Sequence, residues 1–207
     1  FYKKDRRARI AGGLVTGQKP NRLSIGECGL ILVMGAGFAQ FANMFVNMIG
    51  SFLNAEEYQE TMSQLTDGKS MFFLIVCMGI IAPLAEEIVF RWLIYLRLRD
   101  YMRSGEAIVI SGLFFGIYHG NLVQGVYASI LGCLFAYFLE QTGSLWTSVL
   151  LHMGANIWSL VLPELAAWLL DRYPMGIAVM LVLLLTGMCA GISYFRNRTD
   201  TEQRRII

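Results

Sequence analysis

Apolar and polar residues fall in long blocks along this chain, and the blocks read as membrane-crossing helices. A polar stretch from Phe1 to Glu27 gives way to an apolar run from about Cys28 to Gly50. Within that run Gln40, Asn43 and Asn47 recur at spacings of three and four, a polar stripe that predicts contact with other helices rather than lipid. Ser51 to Gly68 carries Glu56, Glu57, Glu60 and Asp67 and predicts a loop or an interfacial helix. A second helical region runs from Lys69 to about Leu98. It would measure roughly 40 Å against a hydrocarbon core of about 30 Å. Pro83 lies in its middle and predicts a bend or break that frees backbone carbonyls. Such carbonyls are tolerated only under protein or beside a water-filled cavity. Further spans are predicted at about Glu106–His119, Leu122–Leu139, Leu145–Leu162 and Met175–Phe195. Pro163 is expected to end the Leu145–Leu162 span, with Glu164 to Leu170 continuing as a bent or interfacial piece.

Composition agrees with this pattern. Of 207 residues, 56% are hydrophobic and 15% charged, too apolar for an ordinary soluble fold. The expected fold is all-α, a polytopic transmembrane bundle of about six to eight helices with one helix bent or broken near Pro83. Residues 1–27 read as a basic cytoplasmic juxtamembrane arm, 28–195 as the transmembrane domain and 196–207 as a charged cytoplasmic tail. The net charge of +2 says little, but its distribution orients the chain. Lys3, Lys4, Arg6, Arg7 and Arg9 precede the first span, Arg97, Arg99 and Arg103 follow the second, and Arg196, Arg198, Arg204 and Arg205 follow the last. The intervening 51–68 segment is acidic. The positive-inside rule then puts both termini in the cytoplasm of a multi-pass protein in the cell membrane. The basic arm predicts contact with anionic lipid. It has no aromatic platform beside it, which argues against nucleic acid as a partner. Cys28, Cys77, Cys133 and Cys189 are scattered through apolar segments and read as packing residues rather than a disulfide or metal set.

The chemistry concentrates where hydrocarbon is expected. Glu86, Glu87 and Arg91 sit inside the second span. An ionisable group at such a depth is unfavourable by roughly 2.5–3.5 kcal/mol on insertion scales and reads as functional by default. Glu87 and Arg91 are one helical turn apart and predict an ion pair, which leaves Glu86 as a spare acid. Rise per residue puts Glu86 roughly 18 Å from the end of its helix, His119 roughly 20 Å along its own, and His152 and Asn156 roughly 10 and 16 Å along theirs. Three spans therefore bring these groups to similar depth. His152 and Asn156 share one helix face, as do Phe115 and His119, so Phe115 is placed to wall the pocket. Each polar residue also has a plain reading as an interhelical hydrogen bond. Together they offer a carboxylate to deprotonate water, an imidazole to orient it and donors for an oxyanion. These residue types leave an enzyme and a transporter-like polar path both open.

Three motifs in order carry a resemblance. Glu86-Glu87-Ile88-Val89-Phe90-Arg91 resembles the EExxxR motif of the CAAX protease and bacteriocin-processing (Abi) family of intramembrane proteases. Phe115 to His119 is similar to that family's FxxxH motif and His152 to Asn156 to its HxxxN motif. The resemblance covers roughly Met71 to Ser159 and implies an intramembrane endopeptidase of the glutamic type, working on a peptide or membrane-anchored protein substrate without a cofactor. It implies Glu86 as general base with His119 beside it, His152 and Asn156 as the oxyanion site, and Glu87 and Arg91 as support. A zinc site of Glu86, His119 and His152 is the lesser alternative, since no HExxH helix is present. A non-catalytic membrane scaffold, or a bacteriocin-immunity protein binding a peptide partner, is the alternative of another class.

Overall fold

The computed structural model describes residues 2–12, 23–48 and 55–204. The chain is an all-α polytopic bundle, and eight helices follow one another among these residues. They are α1 (Tyr2–Ala11), α2 (Ile25–Met48), α3 (Ala55–Thr66), α4 (Met71–Leu98), α5 (Ser104–Tyr118), α6 (Leu122–Thr142), α7 (Leu145–Arg172) and α8 (Gly176–Arg204). Five of them, α2, α4, α6, α7 and the Gly176–Arg198 part of α8, are long and apolar enough to cross a membrane. At 15 residues α5 is shorter, roughly 22 Å by its rise. His119 caps its C-terminus with φ −76° and ψ −11°, one residue beyond the helix proper.

Small residues let the helices close on each other. A Cβ at Gly35 would overlap the Leu151 carbonyl, and one at Gly154 would overlap the Leu32 carbonyl, so α2 and α7 meet backbone to backbone. Gly112 and Gly116 give α6 the same close approach to α5, against Cys133 and Ser129. Between these pairs lies the main core, built from Ile31, Met34, Phe38, Phe90, Phe115, Leu131, Phe135 and Leu151. The polar stripe of α2 grades outward from Gln40, which is buried and accepts the Trp158 Nε1–H at 2.9 Å, through half-buried Asn43 to exposed Asn47.

Of the two expected proline effects, the bend near Pro83 is found and the helix end at Pro163 is corrected. Pro163 does not end its helix: α7 continues through it to Arg172. The ring lies on an exposed face and removes only one ladder bond, which the turns on either side withstand. Pro83 also leaves α4 continuous. Ile75–Ile81 and Ile88–Tyr95 are wide π turns that flank a short α-helical segment, Ala82–Glu87. The bend is absorbed by widening the helix on both sides of the proline rather than by a gap in it.

The polar arm is not free of the bundle. In α1, Asp5 accepts the Trp92 Nε1–H at 3.0 Å and pairs with Arg97 at 2.7 Å. Arg9 is buried against Asp100 and the Leu96 carbonyl. Burial pushes the Asp5 carboxyl upward, but hydrogen bonds from Arg97 and Trp92 outweigh it and hold it below the usual aspartate range. Nearby, Glu140 of α6 accepts from Tyr95 at 2.7 Å and from Arg99 at 2.7 Å. Further along, Glu27 accepts from the Ser24 N–H at 2.7 Å and the Tyr194 hydroxyl at 2.9 Å, and pairs with Arg198. The start of α2 is thereby tied to α8.

Candidate active site

The middle of α4 presents its acids to α7. Glu87 and Arg91 are one turn apart and both wholly buried, and Arg91 Nε stands 3.1 Å from Glu87 Oε2. The pair expected from the spacing is formed, as an ion pair whose angle is not that of a hydrogen bond. The Arg91 Nη groups make no hydrogen bond among the described residues. The guanidinium lies over two rings instead, 4.9 Å from the centroid of Phe115 and 5.5 Å from that of Phe135. Glu87 turns its other oxygen outward to α7, where Oε1 meets His152 Nδ1 at 3.0 Å. Ser148 lies one turn before His152 on the same face, and its hydroxyl donates to the Leu145 carbonyl at 3.0 Å.

Glu86 is differently placed. Its side chain keeps 19% exposure where Glu87 has none, and its Oε2 is 3.5 Å from His152 Nε2. One imidazole therefore stands between two carboxylates. When its Nδ1–H is donated to Glu87, the Nε2 edge is left facing Glu86. The ring is fixed by stacking on Phe135 at 4.9 Å and by the edge of Phe115 at 5.4 Å.

His119 enters from the end of α5. Its Nδ1 is 2.8 Å from the Phe115 carbonyl, so Nδ1–H donates there and Nε2 is left as an acceptor. Phe115 packs edge-on against His119 at 4.8 Å, and thus separates the two histidines as a wall they share. His119 is within electrostatic reach of Glu86, but the ring in contact with Glu86 is that of His152. Asn156, one turn along α7 from His152, does not point at a carboxylate. Its Nδ2–H donates to the Met78 carbonyl at 2.8 Å.

All seven residues singled out from the sequence thus gather around one contact of α4, α5 and α7. Those missed were Phe135, Ser148 and Phe90, whose ring packs edge-on on Phe115 at 5.0 Å. Phe90 lies inside the first motif and Ser148 one turn before His152, so helical spacing could have found both. Phe135 comes from α6 and has no local signal. Among the described residues, no three His, Cys, Asp or Glu side chains are grouped as a metal site.

An all-helical membrane bundle thus brings paired glutamates, an arginine and two histidines to one helix contact. Residues 68–158, which contain every one of these side chains, match the family model described as "Type II CAAX prenyl endopeptidase Rce1-like". This stretch of the chain is thus similar to the Rce1-like CAAX proteases. The chain is also 26% identical over 151 residues to the protein of Bacillus subtilis (strain 168) named "Putative membrane peptidase YdiL". That match covers 72% of this chain and 61% of the relative, so the chain spans less than two thirds of the protein it resembles. No solved structure matches it.

Proposed function

We propose that this protein is an intramembrane endopeptidase that hydrolyses a peptide bond in a membrane-associated peptide or protein, using water activated by Glu86 and His119. The observation that carries this reading is the unequal treatment of two adjacent acids. Glu87 is sealed and neutralised by Arg91, while Glu86 keeps access and has no cationic side chain of Lys or Arg paired to it among the described residues. A structural pair would need only one acid. In the proposed reaction Glu86 takes a proton from water, and His119 orients that water through Nε2. The oxygen attacks the scissile carbonyl, the developing oxyanion is met by His152 and by the second Nδ2–H of Asn156, and collapse of the tetrahedral intermediate breaks the C–N bond as the proton held by Glu86 passes to the leaving amine. Glu87 holds His152 in this orientation, Arg91 fixes Glu87, and Phe115 forms the wall. Protein folded around the site excludes bulk water and keeps these dipoles fixed. Both termini are assigned to the cytoplasm on the distribution of Lys and Arg, which puts the substrate's cleavage site on the cytoplasmic side of the membrane.

The test is cleavage of a membrane-associated peptide library by purified protein in detergent or lipid, with products read by mass spectrometry. Glu86→Gln should lower turnover by about a hundredfold or more while melting near the wild type. Equal turnover by Glu86→Gln would remove Glu86 as base. Wild-type protein that binds a peptide but never cleaves one would favour the scaffold reading instead.

A further inference from the structure

The hydrogen bond from Asn156 to Met78 repairs the defect that Pro83 makes in α4. In the π turns before the proline, a backbone N–H reaches the carbonyl five residues back, and Ala82 N–H bonds Cys77 O. The next residue in that pattern, 83, would serve Met78 O, but proline has no N–H. Met78 O is thus the carbonyl left without its donor, and Asn156 Nδ2 supplies one at 2.8 Å. A buried carbonyl without a partner is strongly disfavoured in an apolar surrounding. The neighbouring residue permits the approach. Gly79 is buried, and a Cβ on it would lie 2.8 Å from Ile157 Cγ1, so α7 can come close only because position 79 has no side chain.

We infer that Asn156 is a positioning residue for Glu86: by completing the Pro83-interrupted helix, it fixes the rotation and depth of the α4 segment that carries the base. This rests on the proposed function only for what Glu86 does. The geometry is that of a two-point attachment. His152 holds α4 at Glu86 and Glu87, and Asn156 holds it at Met78. One contact alone would let α4 turn about its axis; two contacts on the same face of α7, one turn apart, do not. The short α-helical segment Ala82–Glu87 lies between the two attachments and ends on the acids. Asn156 therefore acts on catalysis through the backbone of α4, whatever its second N–H does for substrate.

The proline makes the idea testable, because removing it restores the missing donor. In Pro83→Ala, Met78 O can receive a backbone N–H from residue 83 in the π pattern or from residue 82 in an ordinary α turn. Wild type, Asn156→Ala, Pro83→Ala and the double variant are compared by melting temperature, by kcat and KM well below melting, and by alkylation of a Glu86→Cys thiol read site by site by mass spectrometry. Asn156→Ala should lower kcat roughly ten- to a hundredfold with little change in KM. It should also lower Tm by several degrees and change the alkylation rate at position 86. In the Pro83→Ala background the same substitution should have a much smaller effect on all three. A kcat loss that is equal in both backgrounds would overturn the inference, leaving Asn156 as an oxyanion donor alone. A Tm effect that Pro83→Ala relieves, with kcat and alkylation unmoved throughout, would also overturn it, since the bond would then brace the fold without placing Glu86. If the wild type cleaves nothing, the proposed function fails separately. Melting and alkylation still decide the positioning role.

Discussion

Glu87 and Arg91 illustrate how much a single side chain can be made to carry in this bundle. Both are fully buried, and Glu87 divides its two oxygens between Arg91 and His152. Arg91→Met leaves Glu87 as an uncompensated buried charge and should destabilise the protein by about 3–5 kcal/mol. Combining it with Glu87→Gln should recover a good part of that loss, because no charge then lacks a partner. Denaturant or thermal unfolding in detergent measures both, and additive losses would show that the two residues act independently. Function need not follow stability here: the double variant frees His152 Nδ1 from its carboxylate, so turnover should stay low even when the fold recovers. At this scale the sequence was informative. The one-turn spacing of residues 87 and 91 announced the pair and isolated Glu86. It did not announce that Asn156 would bond a backbone carbonyl, because that partner is 78 positions away along the chain.

At the scale of helices, the site depends on how closely α7 can approach its neighbours. Gly154 lies between His152 and Asn156 and packs on the Leu32 backbone of α2. The neighbour is main chain and cannot rotate away, so Gly154→Val should force α7 outward. The expected destabilisation is about 1–3 kcal/mol or somewhat more, as for overpacked cores. Turnover should also fall, since both attachments to α4 are on that stretch of α7. Gly105→Ala, at a position with open space around it, is the matched control and should leave the melting temperature close to the wild type. If Gly154→Val melted like the control, the close approach of α2 and α7 would not be a determinant of the fold. The prolines belong to this scale too. A proline predicts a defect in the ladder, but whether a helix ends, kinks or widens depends on what stands beside it. Pro163, exposed on α7, does none of the damage expected, whereas Pro83, buried, is met by π turns and by a side chain from another helix.

For the whole molecule, α1 and the start of α2 are fastened to the rest of the bundle. The α1 helix holds α4 through Asp5 and Arg9, and Glu27 ties the start of α2 to α8. Since the Asp5 carboxyl is held below its usual value, its contribution is fully present above the ordinary aspartate pKa of about 3.9. It is lost as pH falls through the lower folded value. The emission of Trp92, whose indole N–H is bonded to Asp5, should therefore hold through the ordinary aspartate range and change only below it. Asp5→Asn should lack that step. A step at or above the ordinary value would mean that the contact does not favour the charged form.

Sequence by itself determined the membrane class, the helical segments and the polar set that shares a depth. These are consequences of local periodicity and of the exclusion of charge from hydrocarbon. It also set the two adjacent acids apart, pairing Glu87 with Arg91 and leaving Glu86 outside that pair. Tertiary structure alone decided which ring contacts Glu86, that Phe135 shelves His152, that Asp5 and Arg9 bind α1 to the bundle, and that Asn156 answers Pro83. The reason is physical. A helix's own hydrogen bonds are set by neighbours three to five residues away, so their loss can be read locally. The group that makes good such a loss must come from wherever packing brings another helix close, and nothing in the local sequence specifies that.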